Sequence, residues 1–562
     1  MNRSALALFL LIPLLCCSIE AQDAKWKRTD SDDPYLHRIH LRDATGLTID
    51  PLDADASSAD LARSCAPCHD VEAASGGLHG KQGPDGRPGE PWFLVDPRSA
   101  TRLPVHHRSW PGLQHPDSLE MDATSWSRSF GRHDPTLGSA TDCLVCHLAE
   151  GYSFSKRIEK IDSGDVTLAP LYAAGILDPA GNYDPRKFDS NGQVEWQLLS
   201  DAGNEACFRC HTVRDLDSDG GRGWLHEQDV HLAAGLTCVD CHRSGIDHNM
   251  VRGYENEVHP SGRDVSALSC RGCHLDPDGG GMGAPIPQHR GLPPFHLDEI
   301  HCTACHSGPS PSETPVQQWT SRAHRLGEPS QLRLPDTPPR IIATALLRDA
   351  AGVIGPVRTS WPDGWGILDA AGEIAFLSPA DLRRPLRRAL RVRADLVAEV
   401  SEELSGESAS GILDRALQQL QSALADGQTA VLISGGLAHR SSGDGKLESF
   451  ASTAANPVHW AISHPVRSAR TAVGAQGCTD CHSEASQWID SAIGATTLLP
   501  IDSAVVSRSP LDQGIVDRNL WQRWTLLFTG RDLGKIYFTI CSSLAIFGGL
   551  LSLWKSIDRE SS

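Results

Sequence analysis

Seven short stretches of this chain share one pattern, two cysteines separated by two residues with a histidine directly after the second. They are Cys65, Cys68 and His69; Cys143, Cys146 and His147; Cys207, Cys210 and His211; Cys238, Cys241 and His242; Cys270, Cys273 and His274; Cys302, Cys305 and His306; and Cys478, Cys481 and His482. A CxxCH pentapeptide is the attachment signature of c-type haem: two thiols form thioethers with the porphyrin vinyl groups, and the imidazole becomes the proximal iron ligand. With 17 Cys and 25 His in 562 residues, chance predicts about 0.02 copies, so a random origin is excluded. The spacing also argues against zinc, because a ribbon site has no need of a histidine after every second cysteine. It argues against a thioredoxin-like pair for the same reason.

Fourteen of the 17 cysteines belong to these motifs; the others are Cys16, Cys17 and Cys541. No pair is left in the soluble part for a disulfide. Seven proximal histidines leave 18 others for the opposite side of the irons. Apart from Met1, only Met121, Met250 and Met282 offer a thioether, so bis-histidine coordination and low-spin irons at low potential are the expectation. The distal candidates chosen by nearness to a motif are His79, His133, His231, His248, His296, His324 and His464, with His226, His259, His289 and His459 in reserve.

The elements that must position these groups are short. Only 40% of the chain is hydrophobic and 6% aromatic, thin for a large side-chain core. The expected fold is a multihaem cytochrome c: mainly short α-helices and loops packed around haems, with few strands nearby, a small α/β haem-free insert and one C-terminal transmembrane helix. Within 207–306 the motifs recur at steps of 31, 32 and 32 residues. The histidines between them do not repeat, so this block reads as a wire of similar step with individually ligated irons.

Residues 1–21 read as a signal peptide, an apolar run from Ala5 to Leu15 behind Asn2 and Arg3, with cleavage after Ala21; a lipoprotein anchored through Cys16 is the alternative. Residues 22–334 form the multihaem domain with the first six sites. Residues 161–200 lack Cys and His and carry Asp-Pro, Gly-Asn and Asn-Gly dipeptides, the marks of a surface excursion.

From 335 to 450 the pattern changes to an insert. Ile341 to Leu347 and Thr429 to Ile433 read as strands, and Trp365 to Leu377 as a hairpin turning at Ala370 to Gly372. Leu382, Leu386 and Leu390 recur at helical spacing with a break expected near Pro385, and Leu413, Leu417, Leu420 and Leu424 mark a second helix. The basic run Arg383, Arg384, Arg387, Arg388, Arg391 and Arg393 is a solvated helix face or a partner for propionates or an acidic protein. Residues 451–510 carry the seventh site, 511–535 a juxtamembrane linker, 536–554 a transmembrane helix and 555–562 a cytoplasmic tail. Ile536 to Trp554 holds no charge and makes about 28 Å of helix, enough for a bilayer core. A buried core helix is the alternative for it.

The formal net charge of −19 excludes nucleic acid as a partner class. It serves solubility or steers toward a basic redox protein.

The stretches DVHLAAGLTCVDCHRSGIDH, PQHRGLPPFHLDEIHCTACHSG with the following TSRAHRLG, and HPVRSARTAVGAQGCTDCHS resemble bacterial multihaem c-type cytochromes that are exported and membrane-anchored. The layout is more distantly similar to the octahaem tetrathionate reductase and hydroxylamine oxidoreductase group. It departs from that group in having seven motifs rather than eight and no CxxCK site. The resemblance implies covalent haem c, seven copies if every motif is filled, bis-histidine ligation and periplasmic electron transfer. The expected function is relay of electrons between a membrane respiratory complex or quinol oxidiser and another redox protein, at the cytoplasmic membrane of a bacterium. The alternatives are a reductase or oxidase of a small nitrogen or sulfur compound at one five-coordinate haem, and a subunit whose insert organises a larger complex.

Overall fold

The computed structural model describes residues 34–75, 77, 92–96, 99–105, 142–212, 225–276, 281–307, 344–349, 352–390, 408–483, 486, 492–495, 497–501, 505–507 and 517–560. The expected signal peptide at 1–21, Cys16, His79, His133, His324, Arg391 and Arg393 lie outside them. Every strand pair named below is antiparallel.

Strand β1 (Tyr35–Ile39) lies beside β4 (Val194–Leu198), and between them in sequence β2 (Trp92–Asp96) and β3 (Thr101–Val105) form a hairpin. The largest apolar core sits under the β1–β4 ribbon. It joins Leu41, Leu61, Leu144 and Val145 to Ile158, Leu171, Tyr172, Ile176, Val194 and Trp196. Residues 161–200 are therefore a core segment and not the expected surface excursion. The turn dipeptides are real, with left-handed glycines at Gly181 and Gly192, but the apolar residues between them face inward. Short helices scatter those residues too widely for a single period to reveal them.

The helix Phe154–Ser163 shows why this core forms. Ser153 caps its start by accepting from the Lys156 N–H, and Gly164 ends it at φ 97°. Its inner face carries Arg157, whose guanidinium pairs with Asp142 at 3.0 Å, the two side chains being 5% and 1% exposed. The Tyr152 hydroxyl also donates to Asp142. Asp142 in turn accepts from the Val145 N–H, so this saturated buried carboxylate caps the turn that carries Cys146 and His147.

The chain between the sixth and seventh motifs builds two sheets. β5 (Thr344–Arg348), β6 (Ile354–Ser360) and the later β12 (Val458–Ala461) form one, in the order β12-β6-β5. β7 (Gly364–Leu368), β8 (Ile374–Phe376), β9 (Thr429–Ser434), β10 (Leu437–Ser441) and β11 (Leu447–Phe450) form the other, in the order β11-β10-β9-β7-β8. Gly435 and Gly436, both left-handed, make the two-residue turn between β9 and β10. The helices Pro379–Leu390 and Ser408–Gln421 pack Leu382, Leu386, Leu413, Leu417 and Leu420 against Trp365 and Leu432. Pro385 does not break the first of these; the helix runs through it. Buried Leu382 and Leu386 on either side offset the single backbone bond that proline removes. Arg383, Arg384 and Arg387 are exposed.

This region is stitched to the rest of the chain. Arg102 of β3 and Asp363 form a buried ion pair at 2.5 Å, and Trp365 Nε1 donates to the Ser99 carbonyl at 2.8 Å. The His301 N–H, beside the sixth motif, donates to the Ile354 carbonyl of β6 at 2.9 Å. The final helices are Arg518–Thr529 and Arg531–Glu560. Within the latter, Leu533–Glu560 is long and apolar enough to cross a membrane and none of its most apolar stretch is buried.

Candidate haem-binding sites

Each CxxCH folds as a single helical turn or close to it: Cys270–His274 and Cys302–His306 are complete examples, and Cys478–Asp480 is a 3₁₀ turn. One turn brings both thiols and the imidazole to one side, the arrangement a porphyrin needs. Local caps hold these turns. Ser269 accepts from the Gly272 N–H at 3.0 Å, and Thr237 and Asp240 make a reciprocal capping box over Cys238.

The seven motifs follow one another in space in the order of the sequence. The Cys65 thiol lies beside that of Cys143, Cys207 beside Cys238 and Cys270 beside Cys302. Between these pairs, Cys210 joins Leu144, Val145 and Cys146 in one apolar cluster. The Cys241 thiol lies within electrostatic reach of Cys273, and that of Cys481 within reach of Cys305. Asn204 of the third site accepts from the Cys238 N–H of the fourth at 2.9 Å. No gap interrupts the series.

Imidazoles face each other across these sites. Ring centres are 6.4 Å apart for His37 and His69, 6.0 Å for His147 and His248, and 6.2 Å for His242 and His464. They are 6.1 Å apart for His231 and His274, 6.4 Å for His289 and His306, and 6.3 Å for His296 and His482. With metal–imidazole bonds of about 2.0–2.1 Å and about 1.1 Å from nitrogen to ring centre, two imidazoles on opposite sides of one metal stand roughly 6.3 Å apart. Among the described residues, six of the seven motif histidines have a partner at that span.

The second ring nitrogen supports the same fit. A metal-binding imidazole turns one nitrogen to the metal and anchors the other. Nδ1 of His147 donates to the Leu199 carbonyl, of His242 to Val251, of His274 to Pro285 and of His306 to Arg467, at 2.8–3.1 Å. On the opposite side, Nδ1 of His37 donates to Tyr35 and of His248 to Ala74, both at 3.0 Å. His231 and His464 instead donate to Asp229. Each of these leaves Nε2 available. Nδ1 of His296 and of His482 is buried without a hydrogen-bond partner among the described residues.

Burial holds His147 and His242 below the usual imidazole range, with the Leu199 and Val251 carbonyls opposing. They are neutral near pH 7, the form that binds metal. His226 is pushed down to about 3 by burial and then by His464 and Arg358.

Other histidines are occupied differently. Both nitrogens of His259 are engaged, Nδ1 with Ser261 Oγ and Nε2 with the Asn249 carbonyl, each at 2.6 Å. His439 is held likewise by Ser449 and Ser434, and His459 bonds Thr359. His226 leans on the Thr212 hydroxyl and lies 5.0 Å from His464.

The structure thus places His231, His248, His296 and His464 beside motifs, but each faces a motif other than its sequence neighbour. His231 lies seven residues before Cys238 yet faces His274. His248 lies six after His242 yet faces His147, and His296 lies six before Cys302 yet faces His482. His37 was not among the candidates, and His289 was only a reserve. The signal for His37 was a histidine in an alternating strand, YLHRI, which nearness to a motif could not register.

Residues 118–253 match the family model described as NapC/NirT cytochrome c family, N-terminal region. The match spans the second, third and fourth motifs and supports a membrane-anchored multihaem c-type cytochrome carrying covalent haem c. No curated protein and no solved structure matches the chain significantly.

Proposed function

We propose that this protein is a heptahaem c-type cytochrome, anchored in the bacterial cytoplasmic membrane with its haem domain in the periplasm, that takes electrons from quinol or a membrane respiratory complex and passes them to a redox protein. The observation that carries this reading is the uninterrupted spatial series of seven motifs whose last member packs on the helix Arg518–Thr529, directly before the span-length helix. The proximal ligands are His69, His147, His211, His242, His274, His306 and His482. Opposite them, in the same order, stand His37, His248, an unassigned residue, His464, His231, His289 and His296. His79, His133 and His324 remain the candidates for the iron on His211. Haem, when bound, supplies a one-electron couple at each iron. The polypeptide would fix the order of the sites and offer an imidazole on each side of six of them.

The membrane end of the series is at His482. Its ring stacks on Trp521, centres 4.5 Å apart at 27°, and meets Phe528 at 4.9 Å. Both belong to the helix Arg518–Thr529, whose neighbouring face exposes Leu520 and Leu527 with Trp524. An apolar outer face with a tryptophan, continuous with a span-length helix, suits the headgroup boundary of a bilayer. Electrons from a lipid-soluble donor therefore enter at the seventh site and leave toward the first. The β-rich insert supports this path: β12 delivers His464 to the fourth site, and β6 braces the sixth.

The test uses the full-length holoprotein in liposomes with a lipid-soluble hydroquinone. Reduction of all haem is expected, and a chain ending at residue 516 should be reduced by dithionite but not by the hydroquinone. Equal rates for both forms would overturn intake at the membrane end.

A further inference from the structure

Asp229 lies immediately before the helix Val230–Ala233, its side chain 1% exposed. Oδ1 accepts from His231 Nδ1 at 2.9 Å and from the His231 N–H at 3.0 Å. Oδ2 accepts from His464 Nδ1 and from the Val466 N–H, both at 2.7 Å. The Val230 N–H closes the loop onto the Val466 carbonyl at 3.0 Å. Four donors saturate both oxygens, so the carboxylate is fixed and the two imidazoles, 233 positions apart in sequence, are fixed with it.

Those imidazoles face different motifs: His464 faces His242 of the fourth, and His231 faces His274 of the fifth. The two sites are neighbours, both imidazoles being bound to the one carboxylate and Cys241 lying within electrostatic reach of Cys273. Among the imidazoles that face one another across the motifs, the other Nδ1 contacts described above end on neutral carbonyl oxygens. A buried carboxylate is a stronger acceptor than a carbonyl: it pulls the Nδ1 proton, makes Nε2 a better donor to ferric iron and lowers the potential.

We propose that Asp229 is a shared positioning residue that sets the potentials of the fourth and fifth haems together, making this adjacent pair a linked low-potential step in the middle of the series. The inference rests on the axial assignments made above for His231 and His464. Because one carboxylate serves both irons, neutralising it moves two couples at once, which a clamp of purely mechanical importance does not do.

The test is a spectroelectrochemical titration of the holoprotein carrying Asp229→Asn, with covalent haem counted by mass and spin state read by EPR. Two of the seven couples are expected to rise together while all irons stay low-spin. A tenfold change in each reduction equilibrium corresponds to about 59 mV for one electron. No shift, a shift of one couple alone, or conversion to high-spin iron would overturn the proposal. Should Asp229→Asn fail to assemble, Asp229→Glu, which keeps the charge but moves it by one methylene, is read in the same way, as a paired shift or none. His231→Ala and His464→Ala separate the two layers of the argument. If neither yields high-spin iron, the axial assignment has failed; if both do and Asp229→Asn is silent, only the proposal about Asp229 has failed.

Discussion

Removing His296 should open the seventh iron rather than the sixth, although His296 lies six residues before Cys302 and 182 before Cys478. Its ring centre stands 6.3 Å from that of His482, while His289 occupies the equivalent position over His306 at 6.4 Å. His296→Ala takes away one axial ligand of one iron. With seven sites filled, about one seventh of the haem, roughly 14%, becomes high-spin and open to cyanide. His289→Ala gives the same fraction, and the double variant about twice as much, because the two act on separate irons. The assay is EPR spin quantitation of the oxidised holoprotein, with cyanide titration as the count of open positions. The decisive background is Cys478→Ala with Cys481→Ala, which carries no seventh haem. There, His296→Ala should add no high-spin iron and His289→Ala should still add its full share. High-spin iron from His296→Ala in that background would refute the assignment and restore the sequence-neighbour reading.

Gly77→Ala should disturb the second site from a distance, since a Cβ at Gly77 would lie 2.3 Å from the His248 carbonyl oxygen and His248 already has φ 49°; the measured sign is high-spin iron from a residue that touches no haem. Asp363→Ala strands the buried Arg102 guanidinium and should cost about 3–5 kcal/mol, read from denaturant unfolding of the holoprotein; a loss under about 1 kcal/mol would show the pair to be dispensable. His259→Ala removes the ring's contacts to Ser261 and to the Asn249 carbonyl and should lower stability by about 1–3 kcal/mol while leaving every iron low-spin, in contrast to His248→Ala. Leu520→Glu with Leu527→Glu should slow reduction by a lipid-soluble hydroquinone and leave dithionite reduction unchanged, as stopped-flow absorbance would show.

The proximal half of each site was legible because its chemistry is local. Two thiols and an imidazole within five residues need only one helical turn, so CxxCH names Cys270, Cys273 and His274 as surely in sequence as in space. The distal half was not, and the reason is geometric. A porphyrin separates its two axial ligands, and the few residues after a CxxCH cannot pass around the ring to the other face. The opposite imidazole must come from another segment, so His464 crosses to the fourth site and His248 to the second. Between the sixth and seventh motifs some elements were legible: the hairpin signal near Ala370 matches β7 and β8, and Leu413, Leu417 and Leu420 do share a buried face. Its attachment through Arg102 and Asp363 was not, because a buried ion pair between positions 261 apart leaves no periodicity in either segment.

The sequence by itself determined the haem c chemistry, seven CxxCH motifs and a segment able to span a bilayer, since each depends on residues close together in the chain. Tertiary structure decided which imidazole faces which, that successive sites lie side by side, that the seventh packs on the helix Arg518–Thr529, and that Asp229 joins two of them. Those are relations between distant segments, fixed only when burial and hydrogen bonding bring the segments together.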